Sequence, residues 1–288
     1  MKPVYQRQIC EGFLEIAVYG AARNWRFVGD TAEQMDEANP GIVEALQKVM
    51  TKHRVERALV PRPVFGTEIV NPVQLRREIF PRFLRGAEGD GVRLNFTNDA
   101  YVLSSADCPC VVICDPIKAI AIGVHGCRDA LLDRGRIAGK SGREPASVLY
   151  KAMELARNRG WVKTSPLSVF IAAGIGPTMF THPTTPTVMG EDGIERVNEY
   201  QEVNRQLIDH LLNTYDQKRF KIVTDPVQGS INLVELIVAQ FAEYGVTRDQ
   251  IEWDGVDTDM DKGPDGKFLY HSSRRDPTKR NLVVVKLH

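Results

Sequence analysis

The sequence predicts an α/β fold, in its α+β form, with layered mixed sheets flanked by helices. Short apolar runs rich in β-branched residues, typical of buried strands, alternate with longer amphipathic segments along the 288 residues. No internal repeat or low-complexity tract indicates a solenoid or a disordered region. The apolar fraction of 43% is sufficient for a sizeable core, and we expect one domain over residues 1–288.

The first part of the chain predicts one strand and two helices. Residues 13–19 are short and β-prone, which favours a strand. Asp30 and Glu33 have the spacing of a capping box, so we expect a helix to begin near Thr31. Residues 41–53 place apolar side chains at helical spacing and predict a second helix.

Three segments follow before the central part of the chain. Residues 58–64 are apolar but contain two prolines, which favours an edge strand or an irregular one. Residues 74–85 are basic and mixed, and we expect a helix broken at Pro81. Residues 86–91 (GAEGDG) predict a loop.

A buried hairpin is predicted in the middle of the chain. Residues 111–114 and 119–124 are apolar runs separated by turn residues. Cys108 lies at the entrance of the first strand and His125 at the exit of the second. Antiparallel pairing therefore brings a thiol and an imidazole to one end of a sheet.

The second half continues the alternation of helices and strands. Helices are predicted over residues 147–159, 197–215 and 232–244, and strands over residues 167–173, 251–256 and 282–287. The basic, glycine-rich residues 133–145 are either a solvated loop or a lid that contacts an anionic substrate.

Charge and cysteine content exclude several classes of protein. Lys plus Arg and Asp plus Glu number 37 each, so no net charge favours nucleic acid or membrane partners. Neither a membrane span nor a signal peptide is evident, and we expect a cytoplasmic protein. Five cysteines, of which Cys108, Cys110 and Cys114 alternate along one strand, indicate free thiols.

Four segments together resemble the YfiH-type laccase-domain family: NWRFVGDTAEQMDEAN, SADCPCVVICDP followed by AIAIGVHG, GIGP, and YHSSRRDPTKRNLVVVKL. The resemblance implies that family's layered fold, which is similar to that of the cytotoxic necrotizing factor deamidases. It also implies a pocket in which one Cys and two His bind zinc and purine nucleosides are phosphorolysed or deaminated. Copper is the alternative metal, because older descriptions call the family a polyphenol oxidase.

The family's metal site carries over only in part. Cys108 matches the Cys ligand and His125 matches one His, but Phe65 stands where the family has its first His. Phe cannot ligate a metal, and a catalytic zinc normally needs three protein ligands. Metal binding then requires a substitute, for which His182, Cys127 and Cys110 are available. Cys110 would share the face of Cys108 by the period of two.

Three interpretations follow. In the first, zinc is bound by Cys108, His125 and His182, and the protein acts on a purine nucleoside and phosphate. In the second, no metal is needed, and Cys108 and His125 act as nucleophile and base of a hydrolase or deamidase. In the third, catalysis has been lost and the pocket binds a nucleoside or a protein.

Five further residues are assigned from the resemblance. Arg128 and Arg274 are expected to be catalytic and to steady the anionic group, since a guanidinium binds two oxygens at once. Asn24, Asp107 and Arg275 are expected to bind substrate. A turn residue at Asp107 and surface ion pairs at Arg274 and Arg275 are the simpler alternatives.

Overall fold

The structure is a computed structural model that describes residues 1–190 and 193–288. The strands are β1 (Tyr5–Ile9), β2 (Leu14–Tyr19), β3 (Arg57–Leu59), β4 (Ile69–Val70), β5 (Arg77–Phe80), β6 (Phe83–Arg85), β7 (Gly91–Arg93), β8 (Asp99–Ser105), β9 (Cys110–Asp115), β10 (Ile120–His125), β11 (Ser168–Ala172), β12 (Thr187–Met189), β13 (Glu195–Val197), β14 (Val223–Asp225), β15 (Ser230–Ile231), β16 (Ile251–Trp253) and β17 (Asn281–Leu287). The helices are α1 (Ala32–Ala38), α2 (Ile42–Lys52), α3 (Arg128–Leu131), α4 (Arg134–Ile137), α5 (Val148–Asn158), α6 (Gln201–Thr214), α7 (Gln217–Phe220) and α8 (Leu233–Glu243). Short 3₁₀ turns lie at Cys10–Gly12, Pro72–Gln74 and Arg248–Gln250.

Two mixed sheets form the centre of the fold. The seven-stranded sheet has the order β1-β2-β17-β8-β3-β6-β5, and the six-stranded sheet has the order β16-β11-β9-β10-β7-β4. In the first, β3 runs parallel to both of its neighbours. In the second, β11 is parallel to β16 and β4 is parallel to β7. Strands β12 and β13, and strands β14 and β15, form two small hairpins.

Three hydrophobic clusters separate four layers. The cluster between the sheets contains Ile16 from one sheet and Val112 from the other. The far face of the seven-stranded sheet packs against α1 and α2, where Met35 is buried. The far face of the six-stranded sheet packs against α3, α5, α6 and α8, through residues such as Leu149. The predicted α/β fold with layered mixed sheets flanked by helices is therefore confirmed.

The central hairpin forms as predicted. Strands β9 and β10 pair antiparallel, with His125 opposite Cys110. Val111 packs on the helical side of the sheet, whereas Cys110 lies in the cluster between the sheets. Cys108 packs against the helical side, so the expectation that Cys110 shares its face is wrong. The period of two does not apply, because Cys108 precedes the first residue of the ladder.

The predicted amphipathic helices are present, with one change at the first of them. Helix α1 is capped by Thr31, whose Oγ1 accepts from the backbone N–H of Gln34 at 3.2 Å, rather than by Asp30. Gln34 in turn accepts from the N–H of Asp30 at 2.8 Å, so the reciprocal bonds lie one residue later than expected. Ser147 and Asn232 cap α5 and α8 through their side chains.

The expected broken helix over residues 74–85 is wrong. The segment forms the hairpin of β5 and β6, with Pro81 in the turn between them. Phe80 and Phe83 are buried and stacked, with ring centroids 4.6 Å apart. Burial of these two rings against the sheet outweighs the weak helical pattern of the surrounding basic residues.

Two strands of the larger sheet, β3 and β8, differ from what the sequence predicts. Strand β3 is not an edge strand, because it lies between β8 and β6. Its prolines, Pro61 and Pro63, come after the paired residues and therefore remove no hydrogen bond from the ladder. Strand β8 was not predicted, although it lies inside the larger sheet. Among the described residues, no helix has the length and apolarity needed to cross a membrane.

Candidate functional site

A cavity of about 300 Å³ lies at the end of the central hairpin. Its wall includes Cys108 and His125, so the structure places the predicted thiol and imidazole on a common cavity. Cys108 is partly exposed, and His125 is 5% exposed. The two side chains are near enough for Cys108 to raise the pKa of His125. The site therefore has a solvent-accessible sulfur beside an almost fully buried ring.

Asp90 orients the ring of His125 from the other side. Its Oδ1 lies 3.2 Å from Nδ1 of His125. The backbone carbonyl O of Asp90 also accepts from the backbone N–H of His125 at 2.6 Å. The second carboxylate oxygen accepts from the backbone N–H groups of Val64 at 3.2 Å and Gly66 at 2.7 Å. Because a carboxylate only accepts, Nδ1 of His125 carries a proton, which leaves Nε2 for Cys108.

The hydrogen bonds of His125 decide its charge. Burial alone would lower its pKa, because burial penalises the charged ring. Hydrogen bonds to Asp90 and Cys108, together with the charges of both groups, outweigh burial and raise the pKa of His125 to about 9. The ring is therefore an imidazolium at neutral pH. Its positive charge lies beside the sulfur of Cys108.

Arginine side chains form the opposite wall. Arg26, Arg85 and Arg280 all line the cavity. Arg85 is 6% exposed and donates to the carbonyl O of Gly29 at 2.7 Å. Its Nε is buried and has no hydrogen-bond partner among the described residues. A buried donor without a partner is costly, so this wall is suited to an anionic or strongly accepting ligand.

The charge of the Cys108 thiol acts on the guanidinium of Arg280. Burial lowers its pKa, as does the charge of Arg26, whereas the charges of Cys108 and Asp107 raise it. Arginine remains charged at any ordinary pH despite such a shift. The cavity thus combines a cysteine, an imidazolium and fixed guanidinium groups. This arrangement can bind an anion next to a nucleophile.

A second arrangement at the same site has the spacing of a metal centre. Ligand atoms of Asp90, His125 and Cys127 lie within 4.8 Å of one another, and all three residues are buried. Carboxylate, imidazole and thiolate are ligands that zinc accepts, so this Asp-His-Cys group could bind a metal. Burial, and then the charge of Cys108, raise the pKa of the Cys127 thiol. A metal would therefore have to displace that proton and the bond between Asp90 and His125.

His182 lies outside this group. Its Nε2 is 2.7 Å from Nη1 of Arg128, and its Nδ1 has no partner in the described part of the chain. Burial, followed by the charges of Arg128 and Arg274, lowers the pKa of His182 to about 4. The predicted trio of Cys108, His125 and His182 is thus not assembled, because the ring of His182 is held by an arginine.

The two arginines expected to steady an anion also lie elsewhere. Arg128 pairs with Asp129 at 2.9 Å in addition to His182, and Arg274 donates to the carbonyl O of Thr181 at 3.3 Å. Neither is among the residues that line the cavity. Arg128 is the first residue of α3, which packs on the helical side of the sheet. The arginines that line the cavity are Arg26, Arg85 and Arg280.

The guanidinium of Arg275 is occupied by contacts with other residues of the chain. It donates to the carbonyl O of Thr258 at 3.1 Å and to that of Tyr270 at 2.7 Å, and it pairs with Asp259 at 3.3 Å. Its guanidinium also lies 3.6 Å from the ring centroid of Phe268. These contacts connect the acidic loop to the C-terminal segment and leave few donors for a substrate.

Asp107 and Asn24 lie at the base of the site. Asp107 lines the cavity, but its carboxylate accepts from the hydroxyl of Thr258 at 2.9 Å and from the N–H of Ser273 at 2.9 Å. Asn24 accepts from the N–H groups of Arg26 at 3.0 Å and Arg280 at 3.1 Å. Asn24 therefore positions two cavity arginines through their backbone.

Phe65 lies beside His125 at the cavity. Its ring centroid is 6.1 Å from that of His125, it lines the cavity, and it is 56% exposed. Sequence reasoning did not select Asp90, Arg26, Arg85 or Arg280. Arg26 and Arg280 lie inside the quoted family-like segments, which was an available signal. Asp90 lies in a loop, and only the pairing of β7 with β10 brings it to His125.

Two packed mixed sheets between helical layers form a fold that this chain shares with solved structures of the YfiH type. The chain is similar in structure to the Bacillus licheniformis hypothetical protein YfiH, with a TM-score of 0.65 and 17% identity over 96% of this chain and 93% of that one. It is also similar to the DUF152 protein NMB0706 of Neisseria meningitidis (TM-score 0.63, 14% identity, 96% and 94%). A third similar structure is YlmD of Geobacillus stearothermophilus (0.62, 16%, 96% and 91%). These likenesses confirm the predicted resemblance in fold. No family model and no curated protein matches the sequence.

Proposed function

We propose that the protein is a metal-independent thiol hydrolase or deamidase in which Cys108 is the nucleophile. The supporting observation is that His125, whose ring is hydrogen-bonded to the buried Asp90, lies beside Cys108 on the wall of the cavity. A nucleophile within reach of an acid–base group that a third residue orients is the general arrangement of covalent catalysis. It needs no metal, and it is consistent with Phe65 in place of a ligand His.

In the first half of the reaction, the sulfur of Cys108 attacks the carbonyl carbon of an amide. A C–S bond forms and an electron pair moves to the carbonyl oxygen. As the oxygen reforms its double bond, the C–N bond breaks and the imidazolium of His125 donates a proton to the leaving nitrogen. Asp90 keeps the ring in position and stabilises its charged form throughout.

In the second half, the now neutral His125 takes a proton from a water molecule that attacks the thioester. The C–S bond breaks, the acid leaves, and the thiolate and imidazolium are restored. Net consumption is one water for each amide. Arg26 and Arg280 would hold an anionic part of the substrate beside the sulfur, which favours substrates that carry a carboxylate or a phosphate.

Hydrolysis of amides and activated esters that bear a carboxylate tests this function. Wild-type protein should form an acyl adduct at Cys108 that intact-mass spectrometry detects before turnover. Cys108→Ala should lose at least about 10³-fold in activity. Cys10 lies outside the cavity, so Cys10→Ser should keep the wild-type activity. Equal turnover by wild type and Cys108→Ala would refute the proposal.

The second candidate function is the metal-assisted purine nucleoside chemistry that the resemblance implies. The observation that favours it is the buried group of Asp90, His125 and Cys127. These residues would hold the ion, and zinc or copper there would supply Lewis-acid polarisation to a nucleoside and phosphate reaction. In that case Arg26 and Arg280 would bind the phosphate, and His125 would be a ligand rather than an acid.

Metal content and base release distinguish the two candidates. Stoichiometric zinc or copper, lost in Cys127→Ala and accompanied by release of hypoxanthine from inosine in the presence of phosphate, supports the metal-assisted function. Protein without metal whose Cys108 is acylated supports the hydrolase. If neither activity occurs and inosine still binds, the third interpretation, a binding module, replaces both.

A further inference from the structure

A second pair of thiols lies at the opposite end of the central strand. Cys10 is in the tight turn between β1 and β2, and Cys114 is near the end of β9. Cys10 packs against the hydrophobic cluster that contains Cys114. Both residues line a cavity of about 670 Å³ that is separate from the one at Cys108. Two thiols on the wall of one cavity have a chemistry that a lone cysteine lacks.

The two thiols belong to different sheets. Cys10 follows β1 of the seven-stranded sheet, whereas Cys114 lies on β9 of the six-stranded sheet. Arg7 and Glu252 form an ion pair between β1 and β16 at the same cavity. A covalent bond between Cys10 and Cys114 would therefore connect the edge of one sheet to the middle of the other.

The backbone holds Cys10 in an unusual conformation. Its φ is 53°, in the left-handed region that residues other than glycine seldom adopt, and Glu11 has a φ of 54°. The N–H of Phe13 donates to the carbonyl O of Cys10 at 2.9 Å and closes the turn. Conformational strain of this kind is often found where a side chain must be presented in one direction.

The two thiols differ in access. Cys10 is partly exposed, whereas Cys114 is fully buried. Burial, followed by the effect of the Cys10 thiol, raises the pKa of Cys114 well above its ordinary value. The accessible sulfur is therefore the one that meets an oxidant first, and the buried sulfur is placed to react with it afterwards.

We propose that Cys10 and Cys114 are a redox-modification site that closes to a reversible disulfide when a hydroperoxide oxidises Cys10. The thiolate of Cys10 attacks one oxygen of hydrogen peroxide, the O–O bond breaks, and protonation gives a sulfenic acid and one water. The sulfur of Cys114 then attacks the sulfenic sulfur, the S–O bond breaks, and a second water leaves with the proton of Cys114. Two thiols are oxidised and one peroxide is reduced. A small dithiol reverses the reaction by exchange.

This site is independent of the proposed hydrolase. Strand β9 has six residues and spans roughly 20 Å, with Cys108 before its start and Cys114 near its end. Loss of activity and loss of the disulfide can therefore be measured separately. The test uses the Cys108→Ser background, so that oxidation of the cavity thiol does not obscure the result.

The experiment is peptide mapping after limited hydrogen peroxide, with free thiols blocked by iodoacetamide under denaturing conditions. Trypsin places Cys10 in residues 8–23 and Cys114 in residues 94–118, which also contain Cys110. We expect these peptides to be cross-linked and lighter by two hydrogen atoms, and dithiothreitol to separate them. Cys10→Ser and Cys114→Ala should each abolish the cross-link, and Cys114→Ala identifies Cys114 as the partner rather than Cys110.

A second readout does not depend on the variants. A disulfide that closes a loop of roughly 100 residues restricts the unfolded chain, so oxidised protein should melt at least about 5 °C above reduced protein. A Cys10 that proceeds to the sulfinic acid without a cross-link would overturn the proposal. Full alkylation of both thiols after peroxide, in protein that circular dichroism shows to be folded, would overturn it as well.

Discussion

The carboxylate of Asp90 lies 3.2 Å from Nδ1 of His125, although 35 residues separate them in the chain. A backbone hydrogen bond of 2.6 Å between the same two residues reinforces the contact. Because the second oxygen of Asp90 also holds the loop that carries Phe65, one buried carboxylate positions both the acid–base residue and the residue beside it.

Asp90→Asn should lower the pKa of His125, because it removes a charge and a strong acceptor. The imidazolium would then be less populated at neutral pH, and alkylation of Cys108 by iodoacetamide should slow by about tenfold. Rates measured from pH 6 to pH 10 locate the change. Asp129→Asn, at a carboxylate that pairs with Arg128 outside the cavity, is the matched control. An unaltered pH profile in Asp90→Asn would show that the contact does not set the charge of the ring.

Stability should fall on the alkaline side. The pKa of His125 is raised from 6.5 to about 9 on folding, so its contribution is complete below pH 6.5 and is lost as the pH rises through 9. A shift of this size corresponds to a contribution on the order of 3 kcal/mol. Urea unfolding at pH 6.5 and pH 9.5 measures it. The loss between these two pH values should be smaller in Asp90→Asn than in wild type, and a loss of the same size in both would assign it to other groups.

Phe65→His should create a metal site. Its ring is 6.1 Å from that of His125 at the edge of the cavity, so an imidazole there can join the ligand group. A fourth ligand beside Asp90, His125 and Cys127 should tighten zinc binding at least tenfold, measured by competition with a chromophoric chelator. Phe96→His, at another exposed phenylalanine, controls for the added histidine. Equal affinity in the two variants would mean that position 65 does not face the group.

Arg26→Ala should weaken anion binding. Arg26 is exposed on the wall of the cavity and lies close enough to Arg280 to lower its pKa. Loss of one charge-assisted contact should raise the apparent Kd for an anion by about tenfold. Protection of Cys108 from alkylation by inorganic phosphate measures that Kd. Arg274→Ala, outside the cavity, should give the wild-type value, and protection lost equally in both variants would place the anion elsewhere.

Local patterns were reliable where burial and periodicity agreed. The central hairpin was predicted because β-branched runs flank a turn, and helices α2, α5 and α8 because each carries an apolar stripe. The hairpin of β5 and β6 was missed, because its two buried phenylalanines sit among arginines that suggested a helix. The expectation that Cys110 shares the face of Cys108 was wrong for a related reason. The ladder begins at Cys110, so the alternation of faces along the strand does not extend back to Cys108.

The sequence alone determined the layered α/β class, the hairpin, and the presence of Cys108 and His125 at one of its ends. Tertiary structure alone decided which groups surround them. Arg26, the stretch from Arg85 to Asp90, and Arg280 come from three distant segments, and His182 is held by Arg128 rather than by the site. The physical reason is that periodicity reports which face of an element is buried, whereas a site depends on which loops meet where strands end.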